Sequence, residues 1–538
     1  MTFFLCSALF DTSFFLLLSS SSSSSETPRA VLCVALNILV INISIRTQKP
    51  KINPKSKDIF YRSWVDTEHK CEWSKESHFL VDFVECKHEI HELLSSAKKS
   101  VYYSTFLCDF EFPLLDNSNE TMANILNRLA RRGVNVYVLY VLSLSLSLTH
   151  SVTHLHTHTY IHTHIYRYNP CVKYGNKTVQ YVREILDDRI RITTAKTNLE
   201  LSTLSRSCQT VEVCGYHHQK YICVDDKTAM VCGCDVNGER AGWLVKNCMG
   251  YYWDEIATVV PCSREMAKWF RLNFESPHQY ESPFPLLSGG LREHDAMVHL
   301  IRSAKHEVYF ANQTLLTGSD MYTNMIGHAI VDRVVRARHT KTPFQIMLLT
   351  NGTQNDEPGF WTKVYCRYSP MMSLLGIEDY ALSCGITLQE LYEHFYVGTL
   401  EHDGVLVKVH SNIIAADQNL AIRSSGNLSD RCFSDKPTDS ELGVMLQGSE
   451  VKMFLQYHYR RLLPDFDGPV DQELTLFDLR HASERNLYGS LLRPSLSPLL
   501  DEPFLSRELG RTLMYFLTAM SEGATGGKEL PLWENERF

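Results

Sequence analysis

The chain has 538 residues, more than one ordinary domain needs and ample for one large core or two. Its hydrophobic content of 44% and charged fraction of 21% are ordinary for a soluble globular protein. A net charge of -8 supplies no basic excess of the kind that marks a nucleic-acid-binding domain, although a local basic cleft can sit in an acidic protein.

The sixteen cysteines do not read as a disulfide framework. Cys223, Cys232 and Cys234 fall inside apolar, strand-like runs where buried free thiols are common, and no pair of CxxC elements suggests zinc. Mostly reduced thiols, and hence a cytosolic catalytic body, are expected.

Residues 1–57 form a leader. Its first part, MTFFLCSALFDTSFFLLL, is apolar enough for a signal peptide but lacks a basic start and contains Asp11. After the serine run Ser19 to Ser25 comes Ala30 to Ile45, sixteen mostly apolar residues with Asn37 and Asn42 inside. That is short for a membrane span, which needs about 20 residues. The leader reads either as a single-pass membrane anchor or as a dispensable segment. As an anchor it would leave the body cytosolic, because Arg46, Lys49, Lys51, Lys55 and Lys57 follow it against Arg29 before it.

The body, residues 58–464, divides into two similar halves, 58–285 and 286–464, followed by a peripheral tail, 465–538. LLSSAKKSVYY, Leu93 to Tyr103, matches LIRSAKHEVYF, Leu300 to Phe310, and each reads as a helix end running into a strand. Between them Thr121 to Arg132 has helical periodicity, Gly133 breaks it, and VNVYVLYV follows as a buried strand. Residues 142–169 interrupt the first half. Their Leu-Ser and Thr-His alternation is what CT and AC dinucleotide repeats encode, so the insert is expected to be retained non-coding sequence and a disordered excursion. A metal-binding reading of its histidines lacks carboxylate or cysteine partners. Turn formers in Ser282 to Gly290 mark the boundary between halves.

Tyr216 to Asp235, YHHQKYICVDDKTAMVCGCD, carries the chemistry. His218 and Lys220 are two apart and would share one face of a strand, and Asp225 lies where the apolar run gives way to a turn. Val409 to Asn427 repeats the layout with His410 and Asp417 at an offset of 192 (410 minus 218), but Asn412 stands at the lysine position. Helices alternating with β-branched runs imply an α/β fold in which each half is a mixed β-sheet flanked by helices. A pseudo-twofold between the halves would bring both motif strands to one shared active site.

These residues resemble the phospholipase D superfamily, whose signature is His-x-Lys-x-x-x-x-Asp twice per chain. His218, Lys220 and Asp225 meet it in full; His410, Asn412 and Asp417 meet it in part. YHHQK is similar to the form found in the phospholipases, and CGCDV, Cys232 to Val236, to the family's Gly-Gly-x-Asp-Leu. SSGNLSDRCF, Ser424 to Phe433, resembles Gly-Ser-x-Asn with its following Asp and Arg, DSEL contains the acidic Glu441, and FANQ, Phe310 to Gln313, matches a strand end between the motifs. The matches run from about Ile90 to Val444.

The resemblance implies a phosphohistidine mechanism. His218 would be the nucleophile, and His410 the acid that protonates the leaving alcohol and then activates water. Asp254 would orient His218, and Glu441 would orient His410. Lys220 would supply the cation and Ser425 and Asn427 neutral donors, with Asn412, Gly233 and Asp235 also at substrate-binding positions. Asp225 and Asp417 would hold strand ends and bind across the halves rather than touch substrate.

No cofactor or metal is required by this scheme. Expected is hydrolysis of a glycerophospholipid of the phosphatidylcholine type to phosphatidic acid and a head group, at a membrane surface, by a monomer without a nucleic-acid partner. The alternatives are phosphatidyl transfer of the cardiolipin-synthase kind, nuclease action, or a weakened enzyme that binds phospholipid, since Asn412 removes one cation.

Overall fold

The computed structural model describes residues 77–494, apart from 142–178, 203–210, 352–372 and several shorter stretches. The leader, the 142–169 insert and the end of the tail lie outside the described residues. In chain order the strands are β1 (His78–Val81), β2 (Ser100–Thr105), β3 (Asn135–Val141), β4 (Arg191–Ala195), β5 (Leu199–Ser202), β6 (Val211–Cys214), β7 (Tyr221–Val224), β8 (Thr228–Cys232), β9 (Tyr252–Asp254) and β10 (Ile256–Pro261). The second half adds β11 (Leu286–Ser288), β12 (Glu307–Ala311), β13 (Gln345–Leu349), β14 (Phe395–His402), β15 (Val405–Val409), β16 (Ile413–Ala416), β17 (Leu420–Ser424) and β18 (Leu442–Gln447), with β19 (Leu492–Pro494) from the tail.

The first sheet runs β1-β10-β8-β7-β2-β3-β4, and the second runs β11-β18-β17-β16-β12-β13-β14-β15-β9. Its first seven strands repeat the first sheet's order. In both, the strands after the repeated helix end pair in parallel, β2 with β3 and β12 with β13, while the motif strands β7 and β16 pair antiparallel with β2 and β12. The fold is therefore α/β, with two mixed sheets flanked by helices, consistent with two phospholipase D-like halves.

Period-two alternation decides which side chains go where. On β7, Ile222 and Val224 face a core shared with the helices Phe83–Ser96 and Met122–Arg131. Tyr221 and Cys223 face the core between the sheets. The second sheet does the same against the helices Gly290–Ser303 and Ile326–Thr340. Helix Met122–Arg131 is capped by Thr121 and ends before Gly133, whose φ of 84° suits a residue without Cβ, so the helix and the strand after it form where their patterning predicts.

One strand ignores the division at residue 285. β9 belongs to the first half by sequence, yet it pairs in parallel with β15 at the edge of the second sheet, Asp254 opposite Val409. The tail helix Leu476–Arg485 buries Leu476, Leu479 and Ala482 in the core between the sheets, and β19 pairs with β14. No described helix is long and apolar enough to cross a membrane.

Candidate active site

The two histidines sit on loops that enter the motif strands, not on the strands themselves. Regular strand begins only at Tyr221, and His217 makes a single bridge to Ser440, so strand alternation does not set the relation of His218 to Lys220. Contacts with the other half fix these loops instead. The His218 amide donates to the Ser440 carbonyl (2.9 Å), and the His410 amide donates to the Asp254 carbonyl (2.8 Å). Reciprocal bonds of this kind are what a pseudo-twofold between halves produces. The neighbour His217 is held between Ser104 Oγ at its Nε2 (2.6 Å) and Ser440 Oγ at its Nδ1 (3.2 Å).

The orienting carboxylates correct the sequence-based pairing. His218 Nδ1 lies 3.0 Å from both oxygens of Glu441, so Glu441 serves His218 and not His410. His410 Nδ1 lies 2.8 Å from Glu255 Oε2. Asp254 orients neither ring; its carboxylate accepts from Ser411 Oγ. The reason is geometric. Asp254 ends β9 and Glu255 follows it, as Ser440 precedes Glu441 before β18, so the residue in register with Glu441 is Glu255. A direct comparison of W-D-E-I with D-S-E-L carries that register. Both glutamates are fully buried, and each holds its ring through Nδ1.

Burial alone would push Glu441 up, yet the charge and hydrogen bond of His218, the Lys220 ammonium and the Cys432 thiol hold its carboxyl below the usual range. Ser425 Oγ (2.5 Å) and Cys432 Sγ (2.9 Å) both donate to it. Ser425 is thus committed to Glu441 and is not the free neutral donor expected from its position. Cys432, Asp439 and Glu441 stand close enough to chelate, their ligand atoms within 4.8 Å of one another. The thiol bond to Glu441 accounts for the approach of Cys432. Nearby, burial and the charge of Glu441 push the carboxyl of Glu293 up, and it accepts from Ser424 Oγ, the residue at the family's glycine position.

Lys220 is almost wholly buried; its ammonium donates to the His218 carbonyl (3.0 Å) and stands 5.4 Å over the Phe106 ring, which also meets His218 edge-on. Asn412 is different. Its φ is 46°, its amide nitrogen donates to the Ser425 carbonyl (3.1 Å) and its amide oxygen accepts from the Gln313 amide (3.4 Å), so both ends bind backbone rather than substrate. In Asn427 the atom without a hydrogen-bond partner is the buried amide oxygen, an acceptor and not the donor expected at this position. Its loop is held by Asn312 of FANQ, which bonds the Gly426 carbonyl and the Leu428 amide.

The remaining assignments move from substrate to scaffold. Asp235 accepts from Thr105 Oγ1 (2.8 Å) and the Phe106 amide (2.9 Å), which fixes the Phe106 backbone beside His218. A side chain on Gly233 would meet Arg423 Nη2 at 2.5 Å and Glu255 Oε1 at 2.9 Å, so the glycine makes room for an ion pair instead of touching phosphate. Asp225 accepts from the amides of Lys98, Lys99 and Ser100, and Asp417 from those of Lys305, His306 and Glu307. Each aspartate thereby locks the repeated helix end to its strand within its own half; neither reaches across. Burial would raise Asp225, but the three amides bring its carboxyl below the usual range.

Sequence reasoning missed Glu255, Arg423, Phe106 and Cys432. Glu255 alone had a signal, its register with Glu441.

No family model matches the chain. Among curated proteins, a stretch is 30% identical over 182 residues to phospholipase D2 of Bos taurus, covering 29% of this chain and 19% of that protein. Phospholipase D1 of Homo sapiens is 28% identical over 192 residues, 30% of this chain and 17% of its own length. Phospholipase D zeta 1 of Arabidopsis thaliana is 28% identical over 184 residues, 29% of this chain and 16% of its own. The matched stretch thus spans less than a fifth of each of these relatives. Among solved structures, phosphatidylserine synthase of Haemophilus influenzae Rd KW20 aligns with a TM-score of 0.41 at 12% identity, covering 72% of this chain and 85% of its own. With one complete and one altered motif and each histidine oriented by a buried glutamate, the chain resembles the phospholipase D superfamily, and about 30% of its length is similar to these distant phospholipases D.

Proposed function

We propose that the protein is a phosphodiesterase that hydrolyses glycerophospholipids of the phosphatidylcholine type to phosphatidic acid and a free head group, through a phosphohistidine. The observation that carries this reading is the reciprocal pair of dyads, His218 with Glu441 and His410 with Glu255, each bridging the halves. Two imidazoles anchored through Nδ1 offer two Nε2 atoms, one to attack phosphorus and one to give a proton to the leaving oxygen.

The electron bookkeeping closes with the residues present. The His218 Nε2 lone pair forms the N–P bond, the P–O bond to the head-group alcohol breaks, and that oxygen takes the Nε2 proton of His410. His410 Nε2 then takes a proton from water, whose oxygen bonds phosphorus as the N–P pair returns to His218. Lys220, the motif cation, neutralises the phosphate, and the Asn427 amide supplies a neutral contact.

The test is incubation with phosphatidylcholine and a primary alcohol. Phosphatidic acid and the phosphatidyl-alcohol should both form, and His218→Ala should form neither. If wild type yields no more of either product than His218→Ala, the enzymatic reading is wrong. Parallel arms with phosphatidylglycerol and single-stranded DNA separate lipid hydrolysis from phosphatidyl transfer and nuclease action. A second reading, a weakened enzyme that retains phospholipid binding, is favoured by one observation: the Asn412 amide is spent on backbone and replaces the second lysine without supplying any charge. Vesicle binding without turnover would select it.

A further inference from the structure

Arg423 is among the largest side chains wholly withdrawn from solvent. It lies on β17 in the second half, where the first half has Val231 (423 minus 192). A guanidinium taken out of water costs several kcal/mol unless it is paired. Here Nε donates to the Ile256 carbonyl (2.7 Å), Nη1 to the Ser424 carbonyl (2.5 Å), and Nη2 stands 3.5 Å from Glu255 Oε1. Glu255 is the carboxylate that orients His410. Gly233 reserves the space, since any side chain there would collide with both members of the ion pair.

The other dyad is built differently. Glu441 accepts from two neutral donors, the Ser425 hydroxyl and the Cys432 thiol, besides His218. Among the described residues no guanidinium is paired with Glu441; the cation acting on it is Lys220, whose ammonium is bonded to the His218 carbonyl. One carboxylate therefore has an internal counter-charge in direct ion-pair range and the other does not. An imidazolium is stabilised by the full charge of its carboxylate, and a carboxylate already paired with a guanidinium has less to offer.

We propose that Arg423 is a positioning residue that sorts the two histidines: by neutralising Glu255 it makes His410 the readier proton donor, the acid toward the leaving alcohol, and leaves His218 to attack phosphorus. This rests on the phosphodiesterase reading above. Among the described residues, the charged and titratable groups facing His410 include Glu255, Arg423 behind it, Asp254 through the His410 amide and Ser411, and Lys408, whose ammonium stands 4.7 Å over the Trp253 ring packed against the imidazole.

The experiment compares kcat/KM against pH for wild type, Arg423→Met, Arg423→Gln and Arg423→Lys on two diesters. Phosphatidylcholine releases an alkoxide that needs a proton, whereas a phosphatidyl ester of p-nitrophenol releases an anion that does not. In Arg423→Met the alkaline limb on phosphatidylcholine should move up by about one pH unit, with a loss of about three- to tenfold on the plateau below it. The nitrophenyl ester should change by less than about twofold, and Arg423→Lys should keep the wild-type limb.

Equal losses on both substrates with an unmoved limb would make Arg423 merely structural and overturn the proposal. Should Arg423→Met not fold, Arg423→Gln, which keeps a donor for the carbonyls but removes the charge, carries the same comparison. If wild type cleaves neither diester, it is the phosphodiesterase reading that fails. The ring titration of His410 by NMR then still decides: an upward shift in Arg423→Gln upholds the coupling through Glu255, and no shift refutes it.

Discussion

The loops His218–Lys220 and His410–Asn412 hang on equivalent backbone bonds to the opposite half, but their third residues differ. Lys220 brings a cation under the Phe106 ring, while Asn412 turns into the left-handed region and spends its amide on the Ser425 carbonyl and the Gln313 amide. The frame is shared where the chemistry differs: the second loop has its histidine and its carboxylate, with a neutral brace where the first has a cation. On the phosphodiesterase reading, the motif cation for a bound phosphate then comes from the first half alone.

That comparison breaks most sharply at Lys220. Lys220→Ala should lower phospholipid turnover by about three orders of magnitude, because the motif's other cation position holds an amide; a loss under about tenfold would mean that the phosphate binds elsewhere. Next come the crossed carboxylates. Glu441→Gln and Glu255→Gln should each cost about a hundredfold in kcat, whereas Asp254→Asn should cost less than about threefold, since the Asp254 carboxylate accepts from Ser411 Oγ while Glu255 takes the His410 ring. A reversed order in that steady-state series would undo the register argument.

Asn412→Lys should not restore a lost activity. Lysine at φ 46° is strained where asparagine is tolerated, and two contacts are lost with the amide. A destabilisation of about 1–3 kcal/mol in urea unfolding is expected; a gain in turnover at unchanged stability would show instead that the second site had only lost its charge. The smallest effect belongs to Asp225→Ala, about 1–2 kcal/mol in the same assay with little change in kcat per folded molecule. Because the folded carboxyl is held below the ordinary value, its contribution is complete above about pH 4 and fades as pH falls through the lower, folded-state value. The wild-type advantage over Asp225→Ala should therefore shrink on acidification.

Much of this was legible in the residues. The match of SAKKSVYY with SAKHEVYF marks the helix end and strand that recur in the two sheets, and the turn at Asp225-Asp226, both with positive φ, falls where the apolar run gives way to turn formers. The amides that fill the carboxylates of Asp225 and Asp417 were not legible, although they lie on the very segments that repeat: contact between a helix end and a turn about 125 residues later depends on strand pairing rather than on local pattern. Ser425 and Gly233 misled for a related reason. Their positions fit a phosphate-binding reading, but neighbours from distant strands, Glu441 and Arg423, had already claimed the hydroxyl and the space.

By itself the sequence determined the two-fold repetition, the α/β alternation and the pair of histidines with one lysine between them, because these rest on local periodicity and on residue identity at fixed spacing. Only the tertiary structure decided which carboxylate serves which histidine. Glu441 is 223 residues from His218 and Glu255 is 155 residues from His410; the first pair is joined by the bridge between His217 and Ser440, the second by a strand of the first half laid on the edge of the second sheet. Such a pairing is set by the burial and hydrogen bonding of whole strands, and spacing along the chain does not encode it.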